Sequence, residues 1–394
     1  MQQFRKGARL AALAIVLAGA RCGGGAGSET GTQTSPVPGD TTQAGGANPG
    51  ANGASAGASA SGGHAGSGGQ VANAGTTLPP SGDASGLPPT PPPPPPPAPP
   101  PQQGSGLPSH VFVVAMENEP ASAIYGNTSA GYINGQLLPR YAHATAFTDP
   151  LPDSIPSEPH YVWMEAGTNQ FGDATFTTDS DPSASNSTSS TAHLVSQMRA
   201  ASPAVSWMSY QEGLNSSTGA CPVRSSGFYA AKHDPFVFFQ DVAGNPPSAS
   251  SAYCGQHHKP FTALAQDLAQ NSVAQYNFIS PNVCNDMHGG GGCPSGDPIA
   301  LGDQWLAANL PPIIDYVRAQ GGVIFIVWDE PEGGSTLIPF IAIGPTVKPG
   351  YAGSVAYTHS SLTRTVEKIL GLPVLPAVAA ANDFSDLFAA GLGP

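Results

Sequence analysis

The stretch Gly321-Gly322-Val323-Ile324-Phe325-Ile326-Val327-Trp328-Asp329-Glu330 decides how this chain reads. From Val323 to Trp328 every residue is β-branched or aromatic, and a glycine pair precedes the run. A short continuous run of that kind specifies a buried strand. It ends in two adjacent carboxylates, and open α/β sheets gather their chemistry at the carboxyl ends of such strands. The pattern recurs far upstream, where His110-Val111-Phe112-Val113-Val114-Ala115-Met116 runs into Glu117-Asn118. Two strands that deliver oxygen ligands point to a hard-metal or phosphate site.

Outward from these runs, strands and helices alternate. Strands are predicted over Ala204–Tyr210, Gln275–Ser280 and Leu337–Ile343. Helices are predicted over Gly131–Leu138, Tyr161–Ala166, Thr191–Ala200, Phe261–Gln270, Gly302–Gln320 and Leu362–Leu370. The Tyr161–Ala166 helix is entered through Pro156-Ser157-Glu158-Pro159. This alternation implies an α/β fold, a mostly parallel central sheet flanked by helices on both faces.

The folded part is confined to residues 107–394. Residues 23–106 are rich in Gly, Ala, Ser and Thr and then, over 87–101, in nearly continuous proline. Such a segment buries too little apolar surface to offset its ordering entropy, and its proline run favours an extended spacer. Residues 1–22 read as an export signal: Arg5, Lys6 and Arg9 precede the apolar run Leu10–Leu17,. Ala18-Gly19-Ala20 fits ordinary secretory cleavage, whereas Leu17 to Cys22 fits a lipoprotein signal that would anchor the chain to a membrane through a lipidated Cys22. Either reading places the protein in the cell envelope or outside the cell.

The other four cysteines, Cys221, Cys254, Cys284 and Cys293, fit two disulfides in an exported domain,. The pairing Cys221–Cys254 with Cys284–Cys293 is favoured, because each pair closes a loop containing Gly or Pro. A zinc cluster would need closer cysteine spacing. The net charge of −13 and the lack of a basic block argue against nucleic acid as a partner,. They do not argue against a phosphorylated small substrate, since a bound cation inverts the local field.

Polar clusters follow the predicted strands: Glu117-Asn118, then Pro281-Asn282-Val283-Cys284-Asn285-Asp286-Met287-His288, then Asp329-Glu330, with Tyr357-Thr358-His359-Ser360 ahead of the last helix. Each alone reads as ordinary turn and cap chemistry; their convergence on one side of a sheet is what points to a site. Ser157 lies at a predicted helix start, where backbone amides favour an anion. Ser154 competes with it in a similar Ser-Ile-Pro context.

These residues, in this order, resemble the bacterial phosphoesterase family of acid phosphatases and phospholipases C. The resemblance rests on Met116-Glu117-Asn118, Pro156-Ser157-Glu158-Pro159-His160-Tyr161, Pro281-Asn282 with Asp286-Met287-His288, and Gly302-Asp303-Gln304-Trp305-Leu306. Trp328-Asp329-Glu330, Ile343-Gly344-Pro345 with Val347 to Gly350, and Tyr357-Thr358-His359-Ser360 complete it, so that it spans Ser109 to Phe388. It implies an alkaline-phosphatase-like three-layer α/β sandwich with Ser157 as nucleophile. It also implies a divalent metal ion (Mg, Ca, Mn or Zn) on Glu117, Asn118, Ser157, Asp329 and Glu330, and catalytic histidines at His288 and His359, with His233 in a His-x-Pro-Phe element. His160 stands where the family has Asn, and Glu158 where it has an apolar residue.

The chemistry these residue types support is attack of Ser157 on phosphorus, with the histidines donating to phosphate oxygens or to the departing alkoxide. A phosphate ester is the expected substrate. A phospholipase C acting on lipid phosphodiesters and a noncatalytic surface binding protein on the same fold are the alternatives. Other candidates read as structural: His143 and His193 as structural or surface residues, His257-His258 as an exposed loop, and Trp305 and Trp328 as core. Asp303 reads as the N-cap of the helix after it. Gly289-Gly290-Gly291-Gly292 lacks the Lys-Ser/Thr ending of a phosphate loop.

Overall fold

The computed structural model describes residues 106–393, apart from 153, 216–218 and 332. The predicted export signal and the linker up to residue 105 lie outside the described residues. A single eight-stranded sheet has the order β4-β3-β5-β1-β6-β7-β2-β8. In chain order its strands are β1 (Val111–Met116), β2 (Ala142–Ala144), β3 (Trp207–Gln211), β4 (His258–Pro260), β5 (Tyr276–Ser280), β6 (Val323–Trp328), β7 (Phe340–Ile343) and β8 (Ala352–Gly353). β3, β4, β5, β1 and β6 are parallel, while β7 is antiparallel to both β6 and β2.

Every residue of β1, β5, β6 and β7 is buried. Successive side chains point to opposite faces, so both faces of the sheet centre are covered. The helices that matter here are α1 (Ser157–Ala166), α2 (Leu264–Ala269), α3 (Pro298–Gln320) and α4 (His359–Leu370). α1 and α4 are pinned together by Trp163 Nε1, which donates to Ser360 Oγ at 2.7 Å, and by Thr363 Oγ1, which donates to the Met164 carbonyl at 2.9 Å. The two expected disulfides, Cys221–Cys254 and Cys284–Cys293, are both present.

Several expected elements need correction. α3 starts at Pro298, with Asp297 as its N-cap accepting from Ile299 N at 3.1 Å, and not at Gly302. Asp303 therefore lies inside the helix and is not its cap. It caps another element, accepting from Tyr132 N at 2.7 Å and Ile133 N at 2.9 Å at the start of a π-helical turn, Ile133–Leu137. That turn occupies the segment predicted as an ordinary helix. β7 begins only at Phe340 because Pro339 has no N–H to give the ladder,. His258 is buried and forms part of β4, so the expected exposed loop is a short strand at the edge of the sheet. Trp305 and Trp328 are core, as read, and His193 is buried and structural.

Candidate active site

Three adjacent parallel strands, β5, β1 and β6, bring their carboxyl ends to one place. The register sets Met116 beside Trp328, so Glu117 and Asn118 emerge next to Asp329 and Glu330. The chain is fastened there: Asp329 N donates to the Met116 carbonyl at 3.0 Å, Asn118 N to Asp329 Oδ1 at 2.9 Å, and Glu117 N to the Asp286 carbonyl at 2.8 Å. Asn118 sits at φ 44°, a left-handed conformation that Asn tolerates better than most residues,.

The loop after β5 carries Asp286 and His288. Glu212 holds it, accepting from Asn282 N at 2.9 Å and from Asn285 Nδ2 at 3.0 Å. Gly302 of α3 makes room for it. A Cβ there would lie 2.4 Å from Met287 Cγ and 3.2 Å from the Asn285 carbonyl oxygen.

Ser157 is the first residue of α1, so its hydroxyl lies beside the helix's unpaired amides,. Its Oγ is 3.1 Å from Glu117 Oε2, 3.1 Å from Glu330 Oε1 and 3.4 Å from Asn118 Oδ1. A hydroxyl has one proton and can donate to one of these oxygens only. The others face its lone pairs, an arrangement that fits a cation among them. Glu117 Oε1 and Asp329 Oδ2 are buried with no hydrogen-bond partner, which makes the same point,. The oxygen donors are those that Mg, Ca, Mn or Zn accept.

Charge follows geometry. Burial, then the neighbouring Asp329 and Asp286 charges, push the Glu117 carboxyl well above the usual carboxylate range. Burial, then Asp329, push Glu330 up to about 8. Burial also raises Asp329 and Asp286. His160 is the compensating cation. Burial alone would lower its pKa, but the Asp149 carboxylate against Nε2 at 3.0 Å raises it to about 9, while its Nδ1 donates to the Pro156 carbonyl at 2.9 Å.

The structure brings together Glu117, Asn118, Ser157, Asp329 and Glu330, the residues expected to hold a metal. His233 lies just behind them, buried and stacked on Tyr161 at 4.9 Å between ring centres. His359 is fully buried, its Nε2 donating to the Asp329 carbonyl at 2.5 Å, and burial followed by the His160 charge lowers it to about 4. His288 is exposed at the rim, its ring 6.2 Å from that of His233. Ser154 is exposed in the wall of a cavity of about 340 Å³, which Asn118, Pro156 and Glu330 also line, and does not enter the ligand circle.

Sequence reading missed Asp286, His160 and Asp149. Asp286 lay within a quoted motif, and only its neighbour His288 was singled out. Asp149 follows β2, a strand too short to announce itself, so its pairing with His160 left no trace in the sequence.

Comparison with known proteins gives the family. The Phosphoesterase family pattern matches residues 134–373. A phosphatidylinositol-3-phosphatase of Mycobacterium tuberculosis (strain ATCC 25618 / H37Rv) is 31% identical over 72% of this chain and 85% of its own length. A phosphate-repressible acid phosphatase of Penicillium chrysogenum is 27% identical over 43% of this chain and 40% of its own length. A phosphonate monoester hydrolase of Agrobacterium radiobacter superposes with a TM-score of 0.45 and 11% identity, covering 73% of this chain and 78% of its own. On the family match and the mycobacterial relative, the chain belongs to the phosphoesterase family and is a hydrolase of phosphate esters.

Proposed function

We propose that the protein is a metal-dependent phosphatase that cleaves phosphate monoesters by attack of Ser157 Oγ on phosphorus. The observation that carries this is the Ser157 hydroxyl at the start of α1, within 3.4 Å of Glu117, Asn118 and Glu330. A divalent ion held by Glu117, Asn118, Ser157, Asp329 and Glu330 would lower the serine pKa and neutralise phosphate charge. Ser157 Oγ would give up its proton to solvent, and the new Oγ–P bond forms as the ester P–O bond breaks. His288, exposed at the rim, gives its proton to the leaving oxygen. Water then hydrolyses the phosphoserine and regenerates the hydroxyl. The α1 amides face the phosphoryl oxygens, His359 fixes Asp329 from behind, and His160 holds the Pro156 turn that presents Ser157.

The names of the relatives, a phosphoinositide phosphatase and acid phosphatases, support monoesters over the diesters of a phospholipase C. The two disulfides fit an oxidising compartment, in line with export and with anchoring through Cys22,. Among the described residues no helix is long and apolar enough to cross a membrane.

The test is Ser157→Ala. Release of phosphate from an aryl phosphate is expected to fall about 10³-fold or more, with the thermal midpoint nearly unchanged. Retained turnover would exclude the serine mechanism. Assay of a phosphocholine diester beside the aryl phosphate separates the two substrate classes.

A further inference from the structure

A proline run presents carbonyl oxygens and no amide protons, so a surface that holds it must supply apolar walls and hydrogen-bond donors. Pro91 to Pro97 are consecutive prolines, followed by Ala98 and Pro99-Pro100-Pro101. This run lies outside the described residues, but the point where the chain joins the fold does not. Ser109 N donates to the Gly321 carbonyl at 2.9 Å and Ser109 Oγ to the Gln320 carbonyl at 2.6 Å. The chain is therefore fastened to the carboxyl end of α3.

A groove begins a short way back along the same helix. It has a volume of about 190 Å³, and Tyr132, Leu137, Arg140, Tyr141, Pro311 and Arg318 are among the residues that line it. A second hollow shares Tyr141 and Arg318 and continues to Pro345. Leu137 and Tyr141 are buried, which gives the groove an apolar floor. Among the described residues neither tyrosine hydroxyl takes part in a hydrogen bond, and the Arg140 guanidinium has no carboxylate partner. Burial pushes the Tyr132 hydroxyl up to about 12, so it keeps its proton and can donate. Apolar walls with unused donors are the complement of a chain that offers only acceptors.

We propose that the proline run Pro91 to Pro101 docks in this groove, on its own chain, as a polyproline II strand. Aromatic-lined grooves are the recurring receptors for that conformation. From Pro311 to Arg318 a helix rises about 10 Å, which matches one turn of polyproline II, three residues at about 3.1 Å each. Gln102 to Pro108 form the tether, and Pro101 can stand up to about 26 Å from Ser109 when it is extended,. The run thus meets the groove at an effective concentration on the order of 1 mM, which fills even a weak site. β1 begins at this end of the sheet and delivers Glu117 at the other. Docking would hold the candidate active site facing away from the tether.

The experiment is fluorescence anisotropy of a labelled deca-proline peptide with three full-length chains. They are the wild type, a variant with Pro91 to Pro101 replaced by Gly and Ser, and that variant with Tyr132→Ala added. The replaced chain is expected to bind the peptide, and the wild type to bind it about 10-fold more weakly, the ratio of a 1 mM effective concentration to a Kd of about 0.1 mM. Tyr132→Ala is expected to weaken binding to the replaced chain about 10-fold, and Arg140→Ala carries the test if that variant does not fold. No binding to the replaced chain, equal binding to it and to the wild type, or binding unchanged by the groove variants overturns the proposal. A wild type that sediments as a dimer only while its proline run is intact assigns the run to the groove of a second copy and overturns docking on the same chain.

Discussion

Glu158 stands one residue beyond Ser157 and is fully buried, where an acid is costly. Its Oε2 accepts from Ser180 N at 2.7 Å, but its Oε1 has no partner, and burial raises its pKa to about 7. The folded state therefore keeps a proton that the unfolded chain releases near its ordinary pKa of 4.5. The stability this group contributes is full below pH 4.5 and is lost as pH rises through 7. Glu158→Gln of the ion-free chain should thus be more stable than wild type at pH 8, by about 2–3 kcal/mol, with the gap closing toward pH 4. Urea midpoints at the two pH values check this, and a gap that widened in acid would contradict it. The acid was visible in the sequence as a departure from the family pattern, but its burial was not. Likewise Asp286 and His160 were printed inside recognised motifs. Their roles depend on which atoms face Glu117 and Asp149, which spacing does not encode.

At the scale of elements, Asp303 reaches from α3 to the two leading amides of the Ile133–Leu137 turn. Hydrogen bonds to a charged acceptor contribute about 1.5–3 kcal/mol each. Asp303→Ala should cost about 3 kcal/mol in denaturant unfolding, and Asp303→Asn less; a loss below about 0.5 kcal/mol would show that solvent replaces the cap. Gly302→Ala tests the neighbouring contact. Its Cβ would push on Met287 and the Asn285 carbonyl, so a loss of about 1–3 kcal/mol is expected,. The long strands β1, β5 and β6 were legible because burial on both faces writes a continuous apolar run. β2, β4 and β8 are two or three residues long and take their conformation from the neighbours they pair with, so no local pattern marks them. The helix before Gly302 was missed because Pro298 reads as a breaker, although proline is welcome in a first turn.

At the scale of the molecule, the site is drawn from both ends of the fold, with Asn118 bonded to Asp329 across 211 residues of sequence. In the proposed site no local segment would bind the ion alone, so ion binding would report on the whole folded state. At an ion concentration 100 times the Kd, binding adds about 2.7 kcal/mol to stability. Chelation should therefore lower the thermal midpoint by at least about 5 °C, and Asp329→Asn should abolish most of that difference. Reduction of Cys221–Cys254, which spans 33 residues, should lower the midpoint further and independently of chelator,.

The chain has four tryptophans, Trp163, Trp207, Trp305 and Trp328. Trp328 is wholly buried and adjoins Asp329, while Trp163 lies two turns along the helix that begins at Ser157. Half of the indole chromophores thus sit on the framework of the proposed site. Intrinsic emission is an optical gauge already built into the polypeptide, so site filling can be followed on unlabelled material, and replacing Trp328 by Phe would show what share of the signal it carries.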